Sequence, residues 1–162
     1  MTHQTLSEQQ LTDHELLEQF EQATLPPECF HHHEHVRVAF LYLAEHPALE
    51  ALQAFSKALQ RFAARHGKSN LYHETITWAY MFLIRERMAR AGRTQNWDEF
   101  ANNNADLLTW KGGVLTRLYR EETLSSDLAR KVFPSSRQIR RHRVVGSLPQ
   151  NQDPIFLSIR PS

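Results

Sequence analysis

Residues 75–84, Thr-Ile-Thr-Trp-Ala-Tyr-Met-Phe-Leu-Ile, carry no charge. A helix that is apolar nearly all round must be buried on most of its sides. On composition the run also suits a buried strand. Its continuation through Arg85-Glu-Arg-Met-Ala-Arg90 favours a helix whose charged end emerges into solvent. The expected element starts near Asn70, a good cap residue, and ends at Gly92. It is read as the central helix, so other helices must surround it.

The rest of the chain supplies them. The periodicity is helical almost throughout. A first helix is expected over residues 7–22, with Ser7 and Gln10 as a weak capping box and Leu16, Leu17 and Phe20 as its stripe. Pro26-Pro27 stops it, because proline lacks an amide donor and restricts the residue before it. A second helix runs over 31–45, where Val36, Ala39, Phe40 and Leu43 fall at i, i+3, i+4, i+7. Pro47 opens a third, to about Arg65, with Leu49, Leu52, Phe55, Leu59, Phe62 and Ala63 as its stripe and Gly67 as its stop. After Gly92 the pattern weakens to a short start at 96–100, a helix over 104–120 that tolerates Gly112-Gly113, and a last short helix over 125–132. No period holds from Pro134 on, although 155–159, Ile-Phe-Leu-Ser-Ile, form an apolar island that suits a docked tail or an edge strand. The expectation is an all-α fold: a bundle of four to five main helices over 1–133, with an irregular C-terminal extension, 134–162, packing on the same domain.

Composition narrows the function. The net charge of +1 disfavours a general nucleic-acid binder. Cys29 is the sole cysteine, so no internal disulfide forms and a cysteine-based zinc site is disfavoured. No stretch reaches the length of apolar sequence that spans a bilayer. No basic-then-apolar leader is visible at the N-terminus, so a cytoplasmic protein is expected. Gly-rich phosphate loops, dinucleotide fingerprints and Gly-x-Ser-x-Gly turns are absent from the sequence.

Histidine is the abundant chemical residue, with ten in the chain, among them His31, His32, His33 and His35. Extending the apolar stripe of the second helix backwards gives 43, 40, 39, 36, 35, 32. His32 and His35 therefore face the core. On the fourth helix the row 73, 77, 80, 84 puts His73 one turn above Thr77. Short linkers make neighbouring helices antiparallel, so the second and fourth run parallel with their N-terminal ends together. Two histidines at i, i+3 and a third from another helix can take three facial positions on a metal ion. Such a set leaves a position open for water or substrate. The partly positive helix N-termini favour the neutral imidazole that metals require. Glu74 is placed to act as base or further ligand. Arg37 is placed to clamp a carboxylate or phosphate, its alternative being an ion pair with Glu34 or Glu45.

Phe30-x-His32-x-x-His35-Val36-Arg37, followed by Tyr72-His73-Glu74-Thr75-Ile76-Thr77, resembles the F-x-H-x-x-H-[VL]-R and Y-H-E-T-[IL]-T signatures of an uncharacterised family of small helical bacterial proteins. Residues 124–130, Leu-Ser-Ser-Asp-Leu-Ala-Arg, are similar to a less sharp family segment. The resemblance covers roughly residues 30–133. It implies that His32, His35 and His73 are the motif histidines, whereas His31 and His33 stand at variable positions. Leu71 departs from the lysine or arginine that precedes the Tyr-His pair in the family. The resemblance implies no particular substrate.

The favoured expectation is a metal-dependent enzyme acting on a small molecule through His32, His35 and His73, with Glu74 and Arg37 as catalytic residues. A divalent metal is implied, iron or zinc first and copper as a further option. A homodimer is left open. The alternative is a non-catalytic helical module that binds a partner or small ligand, with the histidines as a structural polar cap; exposed apolar surface on the first and fifth helices would support it. Two features stand outside both readings. Residues 137–143, Arg-Gln-Ile-Arg-Arg-His-Arg, are read as a solvated arginine-rich loop rather than a nucleic-acid contact. Cys29, just before the histidines, is read as an unreactive thiol in preference to a nucleophile.

Overall fold

The structure, a computed structural model, describes residues 10–134. Among them are nine α-helices and no strand: α1 (Asp13–Glu21), α2 (His32–Glu45), α3 (Ala48–Arg65), α4 (Glu74–Arg90), α5 (Trp97–Asn103), α6 (Ala105–Leu108), α7 (Leu115–Leu118), α8 (Glu121–Leu124) and α9 (Asp127–Lys131). Five have seven or more residues, so the all-α bundle of four to five main helices stands. The extension at 134–162, the arginine run and the island at 155–159 lie, past Pro134, outside the described residues, as does Ser7. No described helix is long and apolar enough to cross a membrane.

α1 begins at Asp13, later than the periodicity suggests. Thr12 and Glu15 form a reciprocal capping box, with Glu15 N–H donating to Thr12 Oγ1 at 3.2 Å and Thr12 N–H donating to Glu15 Oε2 at 2.9 Å. That pair satisfies two otherwise orphaned amides, which fixes the start. α4 also begins late. Asn70 sits in a short 3₁₀ turn, Ser69–Leu71, and His73 itself is the N-cap.

The central helix is α2, not α4. It packs against α1, α3, α4, α5 and α6, and residues 35–43 are all buried. Its sequence hides this, because His35 and Arg37 count as polar until their partners are known. α4 is buried on the side that carries Ile76, Tyr80 and Ile84, but Phe82 is 47% exposed. In α3, Leu49 lies outside the core at 72% exposure, while Leu52, Phe55, Leu59 and Phe62 are buried as their spacing predicts. Phe20, Phe30, Phe55 and Phe62 form one aromatic cluster where α1, α2 and α3 meet, with Phe30 and Phe62 centroids 4.8 Å apart.

The stretch 104–120 is broken rather than continuous. Gly112 adopts φ +68°, a conformation costly for residues with a Cβ. At Gly113 a Cβ would fall 1.9 Å from the Thr109 carbonyl oxygen. The two glycines thus make a tight turn between α6 and α7. The C-terminal half continues as short segments laid over α2 and α4, and their attachment to the bundle depends on specific polar ties.

Candidate functional site

All three motif histidines are buried, with exposures of 7% for His32, 0% for His35 and 1% for His73. The apolar stripe therefore places them correctly in depth. Their partners decide what they do.

His73 caps α4 with its side chain. Nδ1 accepts the Ile76 amide at 3.3 Å, and Nε2 donates to the Leu124 carbonyl at 2.7 Å. One nitrogen must be unprotonated and the other protonated, so the ring is the neutral Nε2–H tautomer. Burial holds its pKa below the ordinary histidine value, with Arg130 adding to that effect and the Leu124 carbonyl opposing it. Both nitrogens are thus committed to the fold.

His32 lies at the start of α2 with Nε2 2.8 Å from the Leu107 carbonyl. Its ring meets Tyr80 edge-on at 5.0 Å and Trp110 at 5.7 Å. Tyr80 stands seven residues beyond His73 on α4, which is roughly 10 Å along the axis at 1.5 Å per residue. His32 therefore packs on a side chain whose Cα stands about two turns beyond that of His73. His35 stacks on Phe30 with centroids 3.9 Å apart. Burial holds its pKa well below the usual value; the neighbouring His32 and His31 add to this and the Phe30 backbone opposes it. Among the described residues no group of three or more His, Cys, Asp or Glu side chains is arranged to hold a metal ion. A metal at His73 would have to displace the Leu124 carbonyl or the Ile76 amide, so the residues in this arrangement do not fit the expected ion.

The two candidate catalytic residues are also engaged. Arg37 pairs with neither Glu34 nor Glu45. Its Nε donates to Asp13 Oδ1 at 2.8 Å and its Nη2 to the Leu11 carbonyl at 2.9 Å, which ties the start of α1 to α2. Only 8% of the residue is exposed, so its guanidinium is not presented to a ligand. Glu74 is half-buried and accepts the Tyr72 hydroxyl at 2.6 Å. The Tyr72 pKa is pushed up to about 12 by burial and by this bond.

Two residues to which the sequence pattern assigns no role carry further ties. Thr75 is fully buried and its hydroxyl lies 2.5 Å from the Ala129 carbonyl and 3.0 Å from that of Val132. Arg87 donates to Asn104 at 3.0 Å and to Asp106 at 2.8 Å, fixing the start of α6. No local sequence signal marks either role, because each partner is distant in the chain. Cys29 is exposed and free.

The apolar surface sits elsewhere than expected. Leu16 and Phe20 of α1, and Trp97 and Phe100 of α5, are buried. Apart from Leu49 on α3, the exposed large apolar residues among those described belong to α4, α9 and the residue that ends α9: Phe82 at 47%, Leu128 at 59% and Val132 at 51%. Phe133 joins them, stacked on Trp78 at 5.8 Å and tilted on Phe82 at 5.7 Å. A scan of protein-family models and searches of curated proteins and of solved structures return no match to this chain.

Proposed function

We propose that this chain is a non-catalytic helical binding module, its histidines a structural polar cap and its binding surface the apolar face of α4 and α9. The observation that carries the reading is His73, whose two nitrogens are spent on the Ile76 amide and the Leu124 carbonyl. His32 supports it through the Leu107 carbonyl, and Thr75 through those of Ala129 and Val132. These ties fasten the short C-terminal helices to the bundle and so build the α4–α9 face. An apolar face of this kind on a small domain is a protein-interaction feature in general.

The competing reading is the metal-dependent enzyme on His32, His35 and His73. Titration of Zn(II), anaerobic Fe(II) and Cu(II) into protein purified without a nickel column separates the two. The module reading expects no site of one metal per chain that depends on His73. One equivalent bound by the parent protein, and lost in folded His73→Ala, would overturn it in favour of the enzyme.

A further inference from the structure

The α4–α9 face has an incomplete edge. Phe82, Leu128 and Val132 are exposed, and Phe133 and Trp78 are partly covered beside them. The Trp78 indole N–H is buried and has no acceptor among the described residues. A buried donor without an acceptor is destabilising, so an arriving backbone carbonyl would be favoured here. The chain reaches Pro134 at this same place, in a shallow depression lined by Glu122, Thr123, Ser126, Leu128 and Pro134.

We propose that residues 155–159, Ile-Phe-Leu-Ser-Ile, cover this face in the same chain. The inference rests on the reading of the α4–α9 face as a binding surface and names its occupant. Three observations carry it. The segment is the apolar island of the chain beyond Pro134. Residues 135–154 connect it to the rim of the face, and chain of that length reaches tens of ångströms at roughly 3.3 Å per residue. The face itself holds a buried donor without an acceptor among the described residues, the Trp78 indole N–H. A backbone carbonyl of 155–159 then supplies the acceptor for Trp78.

The test uses the full chain with p-benzoylphenylalanine in place of Phe156. A 1:1 mixture of ¹⁵N-labelled and unlabelled protein is illuminated, digested and read by mass spectrometry. Intrachain links to peptides holding residues 78–82 or 128–133 are expected. Interchain links would overturn the proposal in favour of a second copy on the face. Links elsewhere, or none, would also overturn it. Binding of the apolar dye ANS separates this failure from that of the module reading. ANS binding that is weak in the parent and rises several-fold in full-length Phe156→Asp supports the proposal. Strong binding that is unchanged by Phe156→Asp but lost in Phe82→Asp overturns it and keeps the face as a binding surface. Weak binding in both parent and Phe156→Asp overturns both.

Discussion

Replacing His73 with alanine removes two interactions at once, and their sizes can be separated. The first is the N-cap of α4, where Nδ1 accepts the Ile76 amide; losing a side-chain cap costs about 1 kcal/mol. The second is the bond to the Leu124 carbonyl, which becomes partly buried without a donor; that costs about 1–2 kcal/mol, at the lower end of the usual range because the site is not fully enclosed. The expected loss is therefore roughly 2–3 kcal/mol. His73→Asn divides it. Asparagine is among the best cap residues, so the cap survives and the loss falls to about 1–2 kcal/mol. Urea denaturation followed by far-UV dichroism measures both losses. Hydrogen exchange should report faster amides over α8 and α9 in both variants, and faster amides at the start of α4 in the alanine variant alone. Equal losses for alanine and asparagine, or a loss below about 0.5 kcal/mol for alanine, would refute the cap-and-tether account.

Three further outcomes are expected. His35 and His73 have pKa values below the ordinary histidine value near 6.5, so the unfolded chain takes up protons that the folded chain refuses. Stability is then fully present above pH 6.5 and falls as the pH drops from there toward 5; a urea midpoint that stays flat over that range would contradict the assignment. Arg37→Met should cost about 1–2 kcal/mol and free α1, since Arg37 bonds Leu11 and Asp13, while Asp13→Asn should cost less because Asp13 is half exposed; limited proteolysis near residues 10–13 reads both. Arg140→Gln with Arg141→Gln should leave helix content and thermal midpoint unchanged, and a loss of nucleic-acid binding with a reduced salt slope would assign the run to that partner.

The faces of the helices were legible in the sequence, and their axial offsets were not. The row 32, 35, 36, 39, 40, 43 on α2 is buried along its whole length, polar members included. A stripe of period 3.6 specifies which side of a helix turns inward. It says nothing about sliding one helix past another by a turn, about 5.4 Å, since the same side stays inward. That is the missing information for His32 and His73. Their level relative to one another is set by which side chain of α4 packs on His32, and that is Tyr80. The centre of the bundle was misassigned for a related reason. α4 looks central because its residues 75–84 carry no charge, yet α2 is central, its one buried cation having Asp13 and the Leu11 carbonyl beside it. The ties at Leu107 and Leu124 were out of reach as well. Those carbonyls lie 75 and 51 residues from the histidines that bind them, on helices too short to announce themselves by periodicity.

The electrostatics that suit a histidine to a metal also suit it to capping. Both roles need a neutral ring with an unprotonated nitrogen, and a helix N-terminus together with burial supplies that condition. What separates the roles is the group that arrives opposite the second nitrogen. Here it is a backbone carbonyl, at 2.8 Å for His32 and 2.7 Å for His73. A metal ion bound through the Nε2 atoms of both residues would require both carbonyls to leave, at about 1–3 kcal/mol for each buried group not re-paired. Metal binding through those atoms and release of α6 and α8 are therefore coupled. Hydrogen exchange with and without Zn(II) tests this directly. Amides over 105–131 should be unaffected by the ion. Faster exchange confined to that stretch, saturating at one zinc per chain, would mean that the ties are a closed state of a metal site and not the purpose of the histidines.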